Sequence, residues 1–413
     1  MADRGEDARV QNGETGLGRP MSAGGPENSL DGAETAPRKK RRPGKRRGKK
    51  NAAVENVKPP VRRAGPLSGR RFAALDLGTN NCRLLIAAPQ QGGYRVVDAF
   101  SRIVRLGEGV SGAGVLSDAA MDRTIAALKV CADKIRRRAV TDARCIATQA
   151  CRSAGNGADF LARVERETGL KLEIITPQEE ARLALRGSAK LVDRTCDAVL
   201  VFDIGGGSTE LSWARISDGD TSNKDGAPRR KLSIAAWTSM PHGVVTLAER
   251  FGGREISVET YEEMVRTVEV ELKAFDGAEA LRPLFDDGRA HLLGTSGTVT
   301  SLAGVSLKLP RYDRNQVDGH WLDVREAQRV CESLRSMGYE GRAEEPCIGA
   351  ERADLVVAGG AILEAIIRQW PSERLRVADR GLREGVLAGL IAKHRRKKRR
   401  RVKGKKAKPK DRA

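Results

Sequence analysis

The sequence predicts an α/β chain built from two related domains, and three observations lead there. FAALDLG followed by CRLLIAA reads as two short apolar strands around a Gly-Thr-Asn-Asn turn, and AVLVFDIGGGSTELSWA repeats that order 127 positions later, placing Asp76 on Asp203, Gly78 on Gly205, Arg83 on Glu210 and Leu84 on Leu211. Strand, acid, glycine turn and return strand recurring in register point to two homologous halves. Short apolar runs also alternate with amphipathic helical stretches, the pattern of sheets covered by helices on both faces. Finally, 413 residues exceed the ~250–300 that one hydrophobic core usually supports.

Taken in chain order, residues 1–69 are rich in Gly, Pro, Ala and charge with almost no large apolar side chains, so they are expected to be disordered. Helical periodicity follows at 118–138, 159–168, 179–190, 258–274 and 324–336, with apolar strand candidates at 144–148, 171–175, 231–236 and 290–293. A third glycine turn, Gly294-Thr-Ser-Gly-Thr, links the last of these strands to a helical SLAGVSL segment, a strand-to-helix loop suited to an anion. ERADLVVAGGAILEAIIR and GLREGVLAGLIAK read as packed helices. The expected organisation is a tail over 1–69, a first domain over 70–178, a second over 179–372, a C-terminal helix over 373–394 that returns to the first domain, and a tail over 395–413.

The net charge of +21 belongs to the tails: residues 1–70 hold 17 basic and 8 acidic side chains, residues 395–413 hold 13 and 1, and the core between them is neutral. Cationic runs RKKRRPGKRRGKK and HRRKKRRRVKGKKAKPK suit polyanions such as RNA, ribosomes or inorganic polyphosphate through counterion release. Seven cysteines without a C-x-x-C or a compact cluster indicate a reduced, cytoplasmic thiol set with neither a disulfide framework nor a zinc site. No apolar stretch approaches membrane-spanning length, and the N-terminus lacks an apolar leader.

Phosphoryl transfer from a polyanion needs donors for oxygens, a metal to neutralise charge and a carboxylate to activate water. For the donors, glycine turns supply Gly78, Thr79 and Asn80; Gly205, Gly206, Gly207, Ser208 and Thr209; and Gly294, Thr295, Ser296 and Gly297, since glycine permits positive φ and close approach. For the metal, Asp76 and Asp203 each end an apolar strand, and Glu210 lies across the glycine turn from Asp203; such carboxylates suit Mg²⁺ or another hard divalent cation. For the base, Glu179-Glu180 opens a helix after Thr176-Pro-Gln, where either acid also complements the helix dipole. Arg83 and Arg152 are candidate phosphate clamps.

The motifs DLGTNNCRLLI, ATQACRSAGNGADFL, EEARLALRG, FDIGGGSTEL, GTSGTVTSLAG, ERADLVVAGGAIL and GLREGVL, in this order from Phe72 to about Ile391, resemble the exopolyphosphatase/guanosine pentaphosphate phosphohydrolase (Ppx/GppA) family of the sugar kinase, Hsp70 and actin superfamily. The resemblance implies two actin-like (ribonuclease-H-like) domains with an active cleft between them. It implies that Glu180 activates water, that Asp203 and Glu210 serve the metal and the catalytic water, that Asp76, Gly78, Thr79, Asn80 and Arg83 form the first phosphate segment, and that Arg152 is the arginine of the A-T-x-A-x-R motif. Thr79 and Asn81-Cys82 depart from the commoner residues of that segment, and Asp318 stands where a histidine is frequent. The chain is expected to be of the short form, without the helical HD-type domain of longer relatives, among which homodimers are usual.

The expected function is therefore an exopolyphosphatase that removes terminal phosphate from inorganic polyphosphate, the cationic tails favouring a long polyanion. A guanosine pentaphosphate phosphohydrolase, an actin-like kinase and a non-catalytic alarmone-binding scaffold with RNA-binding tails are the competing readings.

Overall fold

The structure, a computed structural model, describes residues 69–91, 93–218, 231–275 and 279–406. The disorder expected of residues 1–68 and 407–413 lies outside the described residues.

The first half runs β1 (Phe72–Leu77), β2 (Asn81–Gln90), β3 (Gly93–Ile103), α1 (Val110–Ala113), α2 (Asp118–Arg137), β4 (Asp142–Ala147), α3 (Gln149–Ser153), α4 (Gly157–Thr168) and β5 (Leu172–Ile174). After α5 (Pro177–Ser188) the second half runs β6 (Ala198–Ile204), β7 (Thr209–Ser217), β8 (Lys231–Met240), α6 (Val244–Phe251), α7 (Val258–Lys273), α8 (Arg282–Asp286), β9 (Ala290–Thr295), α9 (Ser296–Ser306), α10 (Arg314–Val317), β10 (Trp321–Asp323), α11 (Val324–Ser336), α12 (Gly338–Glu344), α13 (Val356–Gln369), β11 (Arg374–Ala378) and α14 (Leu382–Lys406).

The two sheets carry the repeat that the sequence predicts. The first is ordered β3-β2-β1-β4-β5 and the second β10-β11-β9-β6-β7-β8. In each, an antiparallel meander (β1-β2-β3, β6-β7-β8) continues into parallel strands beside its first member. Register makes the repeat chemical as well as topological. Asp76 is the cross-strand partner of Arg83, and Asp203 that of Glu210, so each pair projects from one face at the same end of its sheet.

Amphipathic helices cover these sheets for the reason their periodicity gives. On α2, Met121, Ile125, Leu128 and Cys131 form one buried stripe; on α7, Met264, Val265, Val268 and Leu272 form another. Two helices serve both halves. Leu183 and Ala184 of α5 pack with α14 residues Val386, Leu387 and Ile391 against Phe72, Ala74 and Leu85 of the first sheet, while Leu185 joins Val199 and Val201 of the second. The helices meet backbone to backbone: a Cβ on Gly187 would lie 1.9 Å from the Gly381 carbonyl oxygen, and one on Gly385 would lie 2.2 Å from that of Leu183.

Several boundaries differ from expectation. The stretch 373–381, expected to begin the C-terminal helix, contains β11, because its alternating pattern pairs it with β9 and β10; the helix starts at Leu382. The helix expected from 351 starts at Val356, since the preceding turn is held by the fully buried Arg342, which donates to the carbonyls of Ala353, Leu334, Gly253 and Arg254. Strand β3 escapes pattern reading because it is a half-exposed edge strand with mixed polarity.

The C-terminal cationic run continues α14 as helix to Lys406. Its first residues do not sit beside the turn that ends β1. His394 packs on Phe72 at the opposite end of that strand, and Arg395 donates to the carbonyls of Gln90 and Gly93. Among the described residues, no helix is long and apolar enough to cross a membrane.

Gly187→Val should destabilise the protein by at least ~2 kcal/mol, because α5 and α14 cannot part without opening both cores. Gly389→Ala, whose new methyl would meet only the flexible end of Arg186 at 3.3 Å, should be neutral or stabilising. Urea midpoints of the two variants against the parent measure the difference.

Candidate active site

The equivalent turns of the two sheets, Gly78–Asn80 and Gly205–Ser208, face each other and enclose a cavity of about 140 Å³. Asp76, Arg83, Glu180, Asp203 and Glu210 line it, as do Gly78, Thr79, Asn80, Gly205, Gly206, Gly207, Ser208, Thr295, Ser296 and Gly297. Three sequence candidates are not among its lining residues. Thr209 turns its hydroxyl to the His242 carbonyl at 2.7 Å, Gly294 packs against the Phe202 ring, and Arg152 stands behind Glu180.

Local chemistry separates the adjacent glutamates. Thr176 caps α5, its hydroxyl accepting from Glu179 N at 3.2 Å with Pro177 in the first turn. Successive residues at a helix start point about 100° apart, so Glu179 faces outward to Arg144 at 2.8 Å while Glu180 faces the cavity and is 7% exposed. Arg152 places Nη1 2.8 Å from the Ile175 carbonyl and 3.4 Å from Glu180 Oε2, supporting the carboxylate from the rear. Glu210 is also buried, its Oε1 accepting from Ser208 Oγ at 2.6 Å and Ser239 Oγ at 2.9 Å.

The carboxylates hold their protons unusually well. Burial, then the charges of Glu210, Asp203 and Asp76, push Glu180 well above the ordinary range, with Arg152 opposing. Burial raises Asp203 to about 6 and Glu210 to about 7, the latter against hydrogen bonds from Ser208 and Ser239. Asp76 is raised by burial and lowered by Arg83 and Arg383.

Glycine serves these turns by close approach, and the expected positive φ is absent from it. A Cβ on Gly206 would lie 3.0 Å from Thr79, and one on Gly207 would lie 1.9 Å from Gln149 Oε1, which itself accepts from Thr79 Oγ1 at 3.0 Å. Within the three turns the only positive φ among the described residues belongs to Ser296, at 81°. A non-glycine residue in that region costs on the order of 1–3 kcal/mol.

Sequence reasoning assigned no role to Arg352, Arg383, Gln149 or Ser301, all of which line the cavity. ERADL and GLREG stand out as motifs, but only the fold brings their arginines to the first half's turn. Arg352 donates to Ser301 Oγ at 3.2 Å, and Arg383 acts on Asp76 from the start of α14. Asp318, the departure from histidine, accepts from Arg380 Nε at 2.9 Å and from Asp379 N at 3.1 Å, and so fixes the loop leading into α14. At the rim, Arg105 of the first half forms a two-pronged pair with Asp354 of the second at 2.8 and 3.0 Å, and Glu249 accepts from Gly109 N at 2.7 Å.

The family model of the Ppx/GppA phosphatases matches residues 85–394. The fold is similar to that of the Ppx/GppA family member from Aquifex aeolicus, 29% identical, with a TM-score of 0.63 over 79% of this chain and 98% of that one. It is similar to an exopolyphosphatase from Cytophaga hutchinsonii, 25% identical, with a TM-score of 0.65 over 78% and 98%. An exopolyphosphatase-like protein, 29% identical, matches with a TM-score of 0.65 over 77% and 98%.

The raised carboxylates carry a pH signature. A proton held up to about 6 by Asp203 and about 7 by Glu210 contributes stability that is full below the ordinary carboxylate range and is lost as pH rises through 6 to 7. In chelator, Glu210→Gln, which keeps an acceptor for both serines, should melt with the parent at pH 5 and several degrees above it at pH 8. Melting curves of the two proteins across that range test the sign.

Proposed function

Starting from a chain that belongs to the Ppx/GppA phosphatase family, we propose that it releases the terminal phosphate of inorganic polyphosphate by attack of a water activated by Glu180. The observation that carries this reading is a buried glutamate, its proton affinity raised by burial, backed by Arg152 and facing two glycine turns across one cavity. A raised proton affinity makes a carboxylate a stronger general base toward water.

Backbone N–H groups of the glycine turns and the start of α9 hold the terminal phosphate, with Arg83, Arg352 and Arg383 as its cations. Glu180 takes one proton from water, the water oxygen bonds to the terminal phosphorus, and the bond to the bridging oxygen breaks. Its electrons leave with the shortened chain, and orthophosphate is the second product. Glu210, tied by Ser208 and Ser239, orients the water.

The cavity suits a hard divalent cation. Mutually repelling carboxylates face it, and Asn80 Oδ1 is buried there without a hydrogen-bond partner. Mg²⁺ suits such a site, because it keeps several of its waters and completes its shell with carboxylate and phosphate oxygens. Asp76, Asp203 and Glu210 with Asn80 would hold it, and it would neutralise charge on the phosphate oxygens.

Among the described residues that line the cavity none is aromatic, so no ring offers itself to a guanine base, which favours polyphosphate over guanosine pentaphosphate. The free cysteines fit a reducing cytoplasm. The helical start of the C-terminal cationic run, held at the far end of β1, suits a separate polyanionic contact such as RNA better than a feed into the cavity.

With Mg²⁺, the protein should release phosphate from long-chain polyphosphate faster than from guanosine pentaphosphate or ATP, and Glu180→Gln should lower kcat by roughly 10²–10⁴-fold with KM nearly unchanged. Faster release from guanosine pentaphosphate would reassign the substrate. Tight binding without release from any of the three would refute hydrolysis and leave a sensing scaffold.

A further inference from the structure

Ser296 lines the cavity with its backbone in the left-handed region, φ 81°, although glycines stand two residues before it and immediately after it. Its place explains the conformation. β9 ends at Thr295 and α9 begins at Ser296, so one residue makes the whole turn from strand to helix. Its side chain then points into the protein rather than toward a phosphate. The hydroxyl donates to the Ile204 carbonyl at 2.5 Å, and its oxygen accepts from Gly297 N at 2.6 Å. A hydroxyl has one proton to give, and Ile204 has it.

Ile204 is the last residue of β6, between Asp203 and the Gly205–Gly207 turn. The hydrogen bond therefore ties the third phosphate turn to the second at the point where the second leaves its strand. Glycine would relax the backbone but has no hydroxyl; any other residue without one would keep the strain and lose the tie.

We infer that Ser296 is a positioning residue: its strained backbone and its hydroxyl bond to the Ile204 carbonyl hold the two phosphate turns of the second half at a fixed separation, and fold stability is given up for that alignment. The inference rests on the phosphohydrolase reading above, and takes Ser296 out of the set of direct phosphate donors.

Stability and activity should then part company. Ser296→Gly should melt at or above the parent temperature while kcat/KM for polyphosphate falls at least about tenfold, as small displacements of catalytic geometry do. Ser296→Thr, which restores the hydroxyl on a more strained backbone, should melt lower yet keep kcat/KM within about threefold of the parent. A Gly variant with unchanged kcat/KM, or one whose activity falls only in step with its melting temperature, overturns the inference, as does a folded Thr variant as slow as the Gly one. Calorimetric titration with tripolyphosphate separates this from failure of the hydrolase reading. A parent that binds without turnover refutes hydrolysis, and the positioning role is then decided by whether Ser296→Gly binds at least about tenfold more weakly or equally well.

Discussion

Asp76, Glu180, Asp203 and Glu210 line one cavity, where burial and the charges of neighbouring carboxylates raise the proton affinities of Glu180, Asp203 and Glu210. Left alone, that repulsion would open the cleft. Arg83, Arg152 and Arg383 offset part of it from three sides, and the paired serines on Glu210 offset another part. What is not offset suits the cavity to a hard cation. The site is thus a store of electrostatic strain kept closed by packing elsewhere.

The packing that keeps it closed is concentrated in α5 and α14. Both helices lie against the first sheet, α5 reaches the second, and they touch through glycine at near-backbone distance. One delivers Glu180 and the other Arg383, so the elements that hold the halves together also bring chemistry to the cavity. On the far rim, Arg105 with Asp354 and Glu249 with Gly109 join the halves by polar contacts alone. An apolar junction at one edge and a polar clasp at the other is what a hinged cleft requires, since polar contacts are remade in water at little cost while apolar ones are not.

Much of this was legible before folding. The twofold recurrence of acid and glycine turn anticipated the two sheets, and aligning Asp76 with Asp203 and Arg83 with Glu210 anticipated the cross-strand registers. Continuous apolar runs located β6 and β9, which are buried on both faces, and period-3.6 patterns located α2, α7 and α11, which present one apolar face to a core. The misses share a cause. β3 is an edge strand, β11 is a five-residue strand enclosed by other strands, and the turn before α13 is fixed by the carbonyl contacts of Arg342; none carries a pattern long or clean enough to stand out locally.

The sequence by itself determined the repeat, the chemical types gathered at each turn and the helix start that presents a glutamate pair, because these follow from local sterics, capping and periodicity. Only the tertiary structure decided that Thr209 and Gly294 turn away from the cavity while Arg352 and Arg383 enter it, and that a serine rather than a glycine bears the positive φ. Those outcomes depend on which surfaces end up opposite one another. Residues distant in sequence set the dielectric, the counter-charges and the free space around each side chain, and no local pattern encodes them.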